Sequence, residues 1–198
     1  MPLGKQSKVL SDKQVDSMAD YLCKGRNGVR NRTVFLLSVK AGLRAKEIAA
    51  VQWSMLMGPD GQLGDTINLT NVASKGSSGR VIPINKVLRQ SLMTLWEQES
   101  QEPGFSPKWQ VLRSERSERV SAQTVVNMFQ RWYRTLGYVG CSSHSGRRTF
   151  ITNTSRKISL VGGSLRDIQI LAGHRNLQTT QRYIDYDTDS QRKVVNLV

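Results

Sequence analysis

Long apolar runs and clusters of cysteine or histidine are missing from this 198-residue chain. No apolar stretch approaches the ~20 residues that a membrane-spanning helix needs, so we expect no membrane partner. The two cysteines, Cys23 and Cys141, are isolated and lack metal-ligand spacing, which favours reduced thiols over a disulfide or a zinc site. No carboxylate cluster has metal-ligand spacing either, so we expect neither a metal nor a cofactor.

Negative charge is also scarce. The chain has 15 Asp and Glu residues against 29 Lys and Arg residues, a formal net charge of +14. The excess is spread evenly, with 14 basic and 8 acidic residues in positions 1–100 and 15 and 7 in positions 101–198. A single folded domain with this charge indicates a polyanionic partner, nucleic acid before an anionic membrane surface.

Hydrophobic periodicity predicts a mostly α-helical domain with a small antiparallel β-sheet, an α+β fold. Ser11 and Gln14 form a capping-box pattern ahead of the first helix. Two alternating segments, residues 66–70 and 80–84, flank a Gly- and Ser-rich stretch and predict a β-hairpin. Further helices are predicted over residues 33–41, 44–52, 87–95, 121–136, 144–157, 165–172 and 177–184.

Two arginines in separate helical contexts suit the recognition of a phosphate. A guanidinium keeps its proton and offers paired donors, so Arg44 and Arg147 could clamp one phosphodiester from two sides. Glu47 lies one helical turn from Arg44 and could brace it. Tyr183 follows His174 by nine residues, and a cationic field would favour its phenolate as a nucleophile.

The motifs that hold these residues resemble those of the tyrosine recombinases, the phage integrase family. The first arginine box is Ala41-Gly42-Leu43-Arg44-Ala45-Lys46-Glu47-Ile48, and the second is His144-Ser145-Gly146-Arg147. Gly173-His174 and Thr179-Thr180-Gln181-Arg182-Tyr183 resemble the closing box, and Lys75 lies in the hairpin where the family has its lysine. Each motif alone is weak, but their order and spacing over residues 10–186 make the resemblance strong.

The resemblance implies a tyrosine recombinase catalytic-domain fold and a set of reactive residues. Tyr183 would attack DNA and form a 3′-phosphotyrosyl link, Lys75 would protonate the leaving 5′-oxygen, His144 would assist proton transfer and His174 would donate to the phosphate. The implied catalytic set is Arg44, Lys75, His144, Arg147, His174 and Tyr183, with Glu47 in support. The expected DNA contacts are Arg44, Lys75, Arg80, Arg147 and Arg148.

Two of these assignments have an alternative residue nearby, and one position departs from the family pattern. Tyr186 lies one turn from Tyr183, although the Thr-Thr-x-x-Tyr spacing selects Tyr183. Arg80 is the cation nearest to Lys75, and we expect it to contact backbone phosphate. Arg148 stands where many family members have a histidine, at a position that is usually outside the reaction centre. An arginine there could add a DNA contact.

The expected organisation is an N-terminal tail over residues 1–10, a catalytic domain over 11–186 and a C-terminal tail over 187–198. The chain is either a minimal recombinase similar to the fimbrial phase-variation invertases or a fragment of a longer protein. The apolar end of the C-terminal tail either docks in trans on a neighbouring protomer or packs on its own domain.

The resemblance implies a site-specific DNA recombinase of the integrase, excisionase or invertase type. Its expected partners are double-stranded recombination sites, three further protomers in a homo-tetramer on DNA, and accessory DNA-bending proteins, with a monomer in solution. The expected location is the nucleoid in the cytoplasm of a bacterial host, for a bacterial or phage-encoded protein. A non-catalytic DNA-binding regulator with the same fold and a type IB topoisomerase-like enzyme are the alternatives.

Overall fold

The computed structural model describes residues 7–71, 73, 79–114, 119–183 and 195–196. In this part of the chain helices dominate, and two strands form one antiparallel sheet. The helices are α1 (Asp12–Cys23), α2 (Gly28–Ala41), α3 (Ala45–Ala50), α4 (Lys86–Glu99), α5 (Ala122–Thr135), α6 (Ser145–Lys157), α7 (Leu165–Ala172) and α8 (Leu177–Gln181). The strands are β1 (Thr66–Leu69) and β2 (Arg80–Pro83), and short 3-10 turns occupy Trp53–Met55 and Ile158–Val161.

Side-chain oxygens cap the N-termini of α1, α4 and α5. The Ser11 hydroxyl accepts from the backbone N–H of Gln14, and the Gln14 side chain accepts from the backbone of Ser11, so the capping box of α1 is confirmed. Asn85 caps α4 and Ser121 caps α5 in the same way, each through one side-chain oxygen.

Helix α2 forms the centre of the molecule and packs against α1, α4 and α6. Its residues Val34, Phe35, Leu36 and Leu37 are all buried, so this helix is apolar around most of its circumference. It begins at Gly28, five residues before the predicted start. Gly28 has no Cβ that would collide with the backbone of Cys23, so α2 can start directly against the end of α1.

The predicted β-hairpin is present, with Ile67 opposite Ile82 and Leu69 opposite Arg80. Along β2, Arg80 and Ile82 are buried, whereas Val81 and Pro83 are exposed. Arg80 therefore lies on the inward face of the sheet. Lys75, at the expected tip, lies outside the described residues.

A second, smaller apolar cluster joins the helices that carry the later motifs. Ile151 of α6 packs with Ile168 and Ala172 of α7, and Phe150 and Tyr183 cover this cluster. Helix α6 lies close against α2, because Gly146 faces the Ser38 side chain at a distance that leaves no room for a Cβ. Leu10, which the sequence places in the N-terminal tail, is buried and donates its N–H to Thr149.

The observed architecture confirms the predicted fold class, mostly α with a small antiparallel sheet. Residues in the described part of the chain form no helix with the length and apolar character needed to cross a bilayer.

Gly42 should tolerate a side chain poorly, for two separate reasons. Its φ of 67° lies in the left-handed region, and an added Cβ would collide with the Phe150 ring. Gly42→Ala should therefore cost about 1–2 kcal/mol for the backbone and roughly 1–3 kcal/mol for overpacking. Urea unfolding measures this loss.

Gly61→Ala is the matched control, because Gly61 has a φ of 73° and no atom within 4 Å of the added Cβ. This variant should show the backbone cost alone. Equal losses in the two variants would mean that the Phe150 ring moves aside without cost.

Candidate active site

Three consecutive carbonyl groups at the end of α7 are the framework of the site. Gly173 adopts a left-handed conformation with a φ of 60° and ends the helix, which leaves these carbonyls without partners in the helix. Three arginine side chains from three other elements donate to them. The pairs are Arg80 Nε to Leu171 at 2.7 Å, Arg147 Nη2 to Ala172 at 2.6 Å and Arg44 Nη2 to Gly173 at 3.4 Å.

Glu47 is the carboxylate that holds two of these arginines together. It is fully buried and accepts from Arg80 Nη1 and Nη2 at 2.9 and 3.2 Å. It also accepts from Arg44 Nη1 at 2.9 Å and from the Arg44 backbone N–H at 2.8 Å. Burial raises the pKa of Glu47, but the hydrogen bonds and charges of Arg80 and Arg44 outweigh burial and lower it overall.

Arg147 is buried beneath the surface of the site. Its Nη1 donates to the Gly42 carbonyl at 2.6 Å, so it bridges the end of α2 and the end of α7. Burial and the positive charge of Arg44 lower its pKa to about 10, and Arg80 acts in the same direction. Arg147 therefore stays protonated at neutral pH, but at an electrostatic cost.

The three arginines carry more positive charge than Glu47 balances. Arg44, Arg80 and Arg147 together hold three charges against one carboxylate, so the cluster attracts an anion. Arg44 is the member open to solvent, since 26% of its side chain is exposed, compared with 4% for Arg80. An arriving phosphate would therefore meet Arg44 first.

His174 follows directly after the helix end that holds the arginines. Its Nδ1 lies 2.9 Å from Oγ1 of Thr180, which is fully buried. Burial lowers the pKa of His174 to about 4, and the charges of Arg147, Arg44 and Arg80 add to this effect. His174 is therefore a neutral imidazole at physiological pH.

Tyr183 stacks on His174. The two ring centroids are 5.5 Å apart and the ring planes differ by 22°. The Arg148 guanidinium lies on the tyrosine ring at 5.8 Å from its centroid. Tyr183 was predicted within a helix, but it lies two residues beyond the end of α8, in a turn closed by its N–H on the Thr180 carbonyl.

An open cleft of about 260 Å³ lies beside Tyr183. Six of the seven residues that line it come from the predicted motifs or the position next to them. Three of the seven, Ser7, Thr179 and Arg182, were not predicted as site residues. The lining is Ser7, His144, Arg147, Arg148, Thr179, Arg182 and Tyr183. The exposed His144 stands at the N-terminus of α6 and is the one histidine on this wall.

Ser7 reaches the cleft from the segment that precedes α1. Its hydroxyl lies 2.7 Å from the Ser142 hydroxyl, which in turn accepts from the His144 backbone N–H. No motif in the sequence marks Ser7, because its position depends on the contact of its segment with the loop before α6. Thr180 could have been noticed as part of the closing box, although its contact with His174 could not.

Arg80 is the expected site residue whose placement differs most from expectation. Its guanidinium is directed at Glu47 and at the Leu171 carbonyl, away from solvent. Lys75 and the rival tyrosine Tyr186 lie outside the described residues. In residues 7–71, 73, 79–114, 119–183 and 195–196, no group of three or more His, Cys, Asp or Glu side chains could hold a metal ion.

The low pKa of His174 should make the fold sensitive to acid. An unfolded histidine takes up a proton near its ordinary pKa of 6.5, whereas folded His174 does so only near 4. The unfolded state therefore binds more protons as the pH falls through this window, and stability drops by up to roughly 3 kcal/mol.

His174→Gln should remove this loss, so between about pH 7 and about pH 4.5 it should lose roughly 2 kcal/mol less than the wild type in urea unfolding. His144→Gln, at the exposed histidine, controls for the loss of a histidine as such. The same acid sensitivity in all three proteins would contradict a buried neutral His174.

The chain is similar in sequence to a known protein family. The model of the phage integrase family matches residues 8–189. A tyrosine recombinase XerC of Shewanella amazonensis is 28% identical over 195 residues, covering 96% of this chain and 62% of that protein. A tyrosine recombinase XerA of Thermococcus kodakarensis is 28% identical over 186 residues, covering 94% of this chain and 61% of that protein.

Solved structures share the fold. A crystal structure of XerA recombinase superposes with a TM-score of 0.75 at 19% identity, over 96% of this chain and 64% of that one. The Tn1549 transposon integrase in complex with a circular intermediate DNA gives a TM-score of 0.74 at 17% identity, over 98% and 66%. The chain thus spans about three fifths of the length of these curated relatives. By the family model that matches nearly all of its residues, the chain belongs to the phage integrase family.

Proposed function

We propose that this chain is the catalytic part of a site-specific DNA recombinase that cuts and rejoins DNA through a covalent link to Tyr183. One observation carries the proposal: a surplus of arginine charge, a neutral histidine and a tyrosine ring converge at one helix end. Family membership and relatives named tyrosine recombinase support the same reading. The net charge of +14 suits a DNA substrate.

Arg44 and Arg147 are the proposed holders of the scissile phosphate. Arg44 is open to solvent, while Arg147 is held from behind by two carbonyls. Their positive charge would stabilise the extra negative charge that develops on the non-bridging oxygens as the phosphorus becomes five-coordinate. Because both guanidinium groups are already held in place, little reorganisation is needed when the phosphate arrives.

His174 is the proposed neutral donor to the same phosphate. If the Thr180 hydroxyl donates to Nδ1, then Nε2 carries the proton and donates to a non-bridging oxygen. The low pKa of His174 suits this role, since the neutral imidazole keeps one donor without adding a fourth positive charge. The stacking of the His174 and Tyr183 rings supports this role, since the proposed donor would then act beside the proposed nucleophile.

The proposed reaction is an in-line displacement at phosphorus. The Tyr183 oxygen forms a bond to phosphorus, and the bond from phosphorus to the 5′-oxygen breaks. His144, on the wall of the same cleft, accepts the phenol proton, and Lys75 gives a proton to the leaving 5′-oxygen. The product is a 3′-phosphotyrosyl link and a free 5′-hydroxyl, and attack by a 5′-hydroxyl reverses the step without ATP.

The wider assignments are part of the proposal. The catalytic domain comprises residues 11–186, flanked by tails over 1–10 and 187–198. It acts on double-stranded recombination sites in the cytoplasm as a homo-tetramer, with DNA-bending proteins as accessory partners and the C-terminal tail docking in trans. Because the chain spans only part of the length of its relatives, these statements about activity, assembly and partners belong to the proposal.

Tyr183→Phe should bind DNA with unchanged affinity and form no covalent adduct, because the ring stays but the nucleophilic oxygen is lost. The measurement is denaturing gel electrophoresis of the protein with a nicked suicide substrate, which traps the adduct. Tyr186→Phe is the matched control and should retain the adduct.

The opposite pattern would make Tyr186 the nucleophile. Absence of any adduct in the wild type would favour the non-catalytic regulator. Relaxation of supercoiled plasmid without a specific site would favour the topoisomerase-like enzyme.

Lys75→Ala should slow adduct formation by roughly two to four orders of magnitude, the usual contribution of a general acid. A substrate whose bridging 5′-oxygen is replaced by sulfur should restore the rate, since a thiolate leaves without a proton. Arg175→Ala, an exposed cation outside the proposed catalytic set, serves as the comparison. A variant equally slow on both substrates would remove the general-acid role.

A further inference from the structure

We propose that Arg80 is a positioning residue: it locks Glu47, and through Glu47 the guanidinium of Arg44, against the end of α7, and it makes no contact with DNA. The inference rests on the proposed function, because its effect on chemistry is felt through Arg44. Arg80 is the first residue of β2, so its side chain also ties the hairpin to the centre of the site.

All three guanidinium nitrogens of Arg80 are engaged inside the protein. Nε donates to the Leu171 carbonyl at 2.7 Å, Nη1 to Glu47 Oε1 at 2.9 Å and Nη2 to Glu47 Oε2 at 3.2 Å. Only 4% of the side chain is exposed. A phosphate could be bound only if Arg80 gave up these buried bonds, whereas Arg44 already reaches solvent.

Gly173 allows Arg80 to approach the helix end this closely. A Cβ at position 173 would lie 2.9 Å from Arg80 Nη1, so the guanidinium occupies the space that a side chain would fill. The glycine at the end of α7 therefore serves two purposes: it permits the left-handed turn, and it leaves room for Arg80.

Glu47 transmits the effect of Arg80 to the phosphate-binding arginine. Both of its oxygens are held by Arg80, and the same two oxygens accept from the side chain and the backbone of Arg44. Without Arg80, the buried carboxylate would be held from one side only, and Arg44 would lose the fixed partner that aims it. A displacement of about 1 Å at a catalytic group can slow a reaction roughly a hundredfold.

The geometry requires arginine rather than lysine at this position. The planar fork matches both carboxylate oxygens while Nε serves a carbonyl in a different direction. A lysine would retain the charge but bind at one point. Arg80→Lys therefore tests positioning while the local charge stays unchanged.

The test compares Arg80→Lys with the wild type in two assays. The single-turnover rate of adduct formation on a nicked suicide substrate should fall on the order of 10- to 100-fold. In a Tyr183→Phe background, the Kd for the same DNA and its dependence on salt should stay unchanged, because no phosphate contact is lost. Because Arg80→Lys keeps the charge, the salt slope is also measured in Arg80→Gln. A fall of about one in that slope would instead mark Arg80 as a phosphate contact and overturn the proposal.

A double-mutant cycle asks whether Arg80 acts through Arg44. If it does, Arg44→Lys combined with Arg80→Lys should be hardly slower than Arg44→Lys alone. Effects that multiply would mean that Arg80 acts independently, which also overturns the proposal.

Arg89→Lys is the matched control for stability. Like Arg80, Arg89 combines donation to backbone carbonyls with a carboxylate pair: it donates to the Leu63 and Gly64 carbonyls and pairs with Asp65. It lies on α4, outside the site. It should lower the melting temperature without slowing the chemistry. If Arg89→Lys slows adduct formation as much as Arg80→Lys does, the effect of Arg80→Lys comes from lower overall stability.

A measurement on the wild type remains decisive if Arg80→Lys fails to fold. Phenylglyoxal modifies accessible arginines, and mass spectrometry locates the adducts. Arg44 should react and be protected by DNA, whereas Arg80 should stay unmodified with and without DNA. If phenylglyoxal modifies Arg80 in the absence of DNA and DNA prevents this modification, the inference is refuted. If the wild type forms no covalent link to DNA, the proposed function is refuted instead. Phenylglyoxal modification would still test whether Arg80 is buried.

Discussion

The end of one short helix organises the whole site. The last carbonyls of α7 lack helical partners, and the helix dipole makes this end negative, so it is a natural place for cations. Here the cations are arginines from α6, β2 and the start of α3, segments far apart in the chain. Residues distant in sequence thereby acquire fixed positions relative to His174, which directly follows the end of α7.

Electrostatic frustration is the cost of this arrangement. Three guanidinium groups share one carboxylate, and the pKa values of Arg147 and His174 fall as a result of burial and of this crowding. A site selected for stability alone would carry a second acid. A phosphodiester would supply the missing negative charge, so the folded site favours binding of its proposed substrate.

Local signals in the sequence predicted the elements well. Serine caps and apolar spacing located α1 and α5, a helical pattern located α7, and alternation located the hairpin. The start of α2 was missed because it depends on a close approach to α1. The direction of Arg80 was missed although its signal was present: it alternates with the exposed Val81 and shares a face with the buried Ile82. The catalytic roles of Arg44, Lys75, His144, Arg147, His174 and Tyr183 remain predictions.

The arginine cluster also contributes to the protonation state of His174. Burial is the main cause of the low His174 pKa, and positive charge from Arg147, Arg44 and Arg80 adds to it, so both disfavour an imidazolium before any anion binds. A bound phosphate would cancel part of that charge and raise the pKa of His174 toward its ordinary value. Its hydrogen bond to the phosphate would gain cationic character as negative charge develops on the oxygens, because donor and acceptor then stabilise each other. The arginines that attract the substrate would therefore also influence how strongly His174 donates its hydrogen bond to the phosphate.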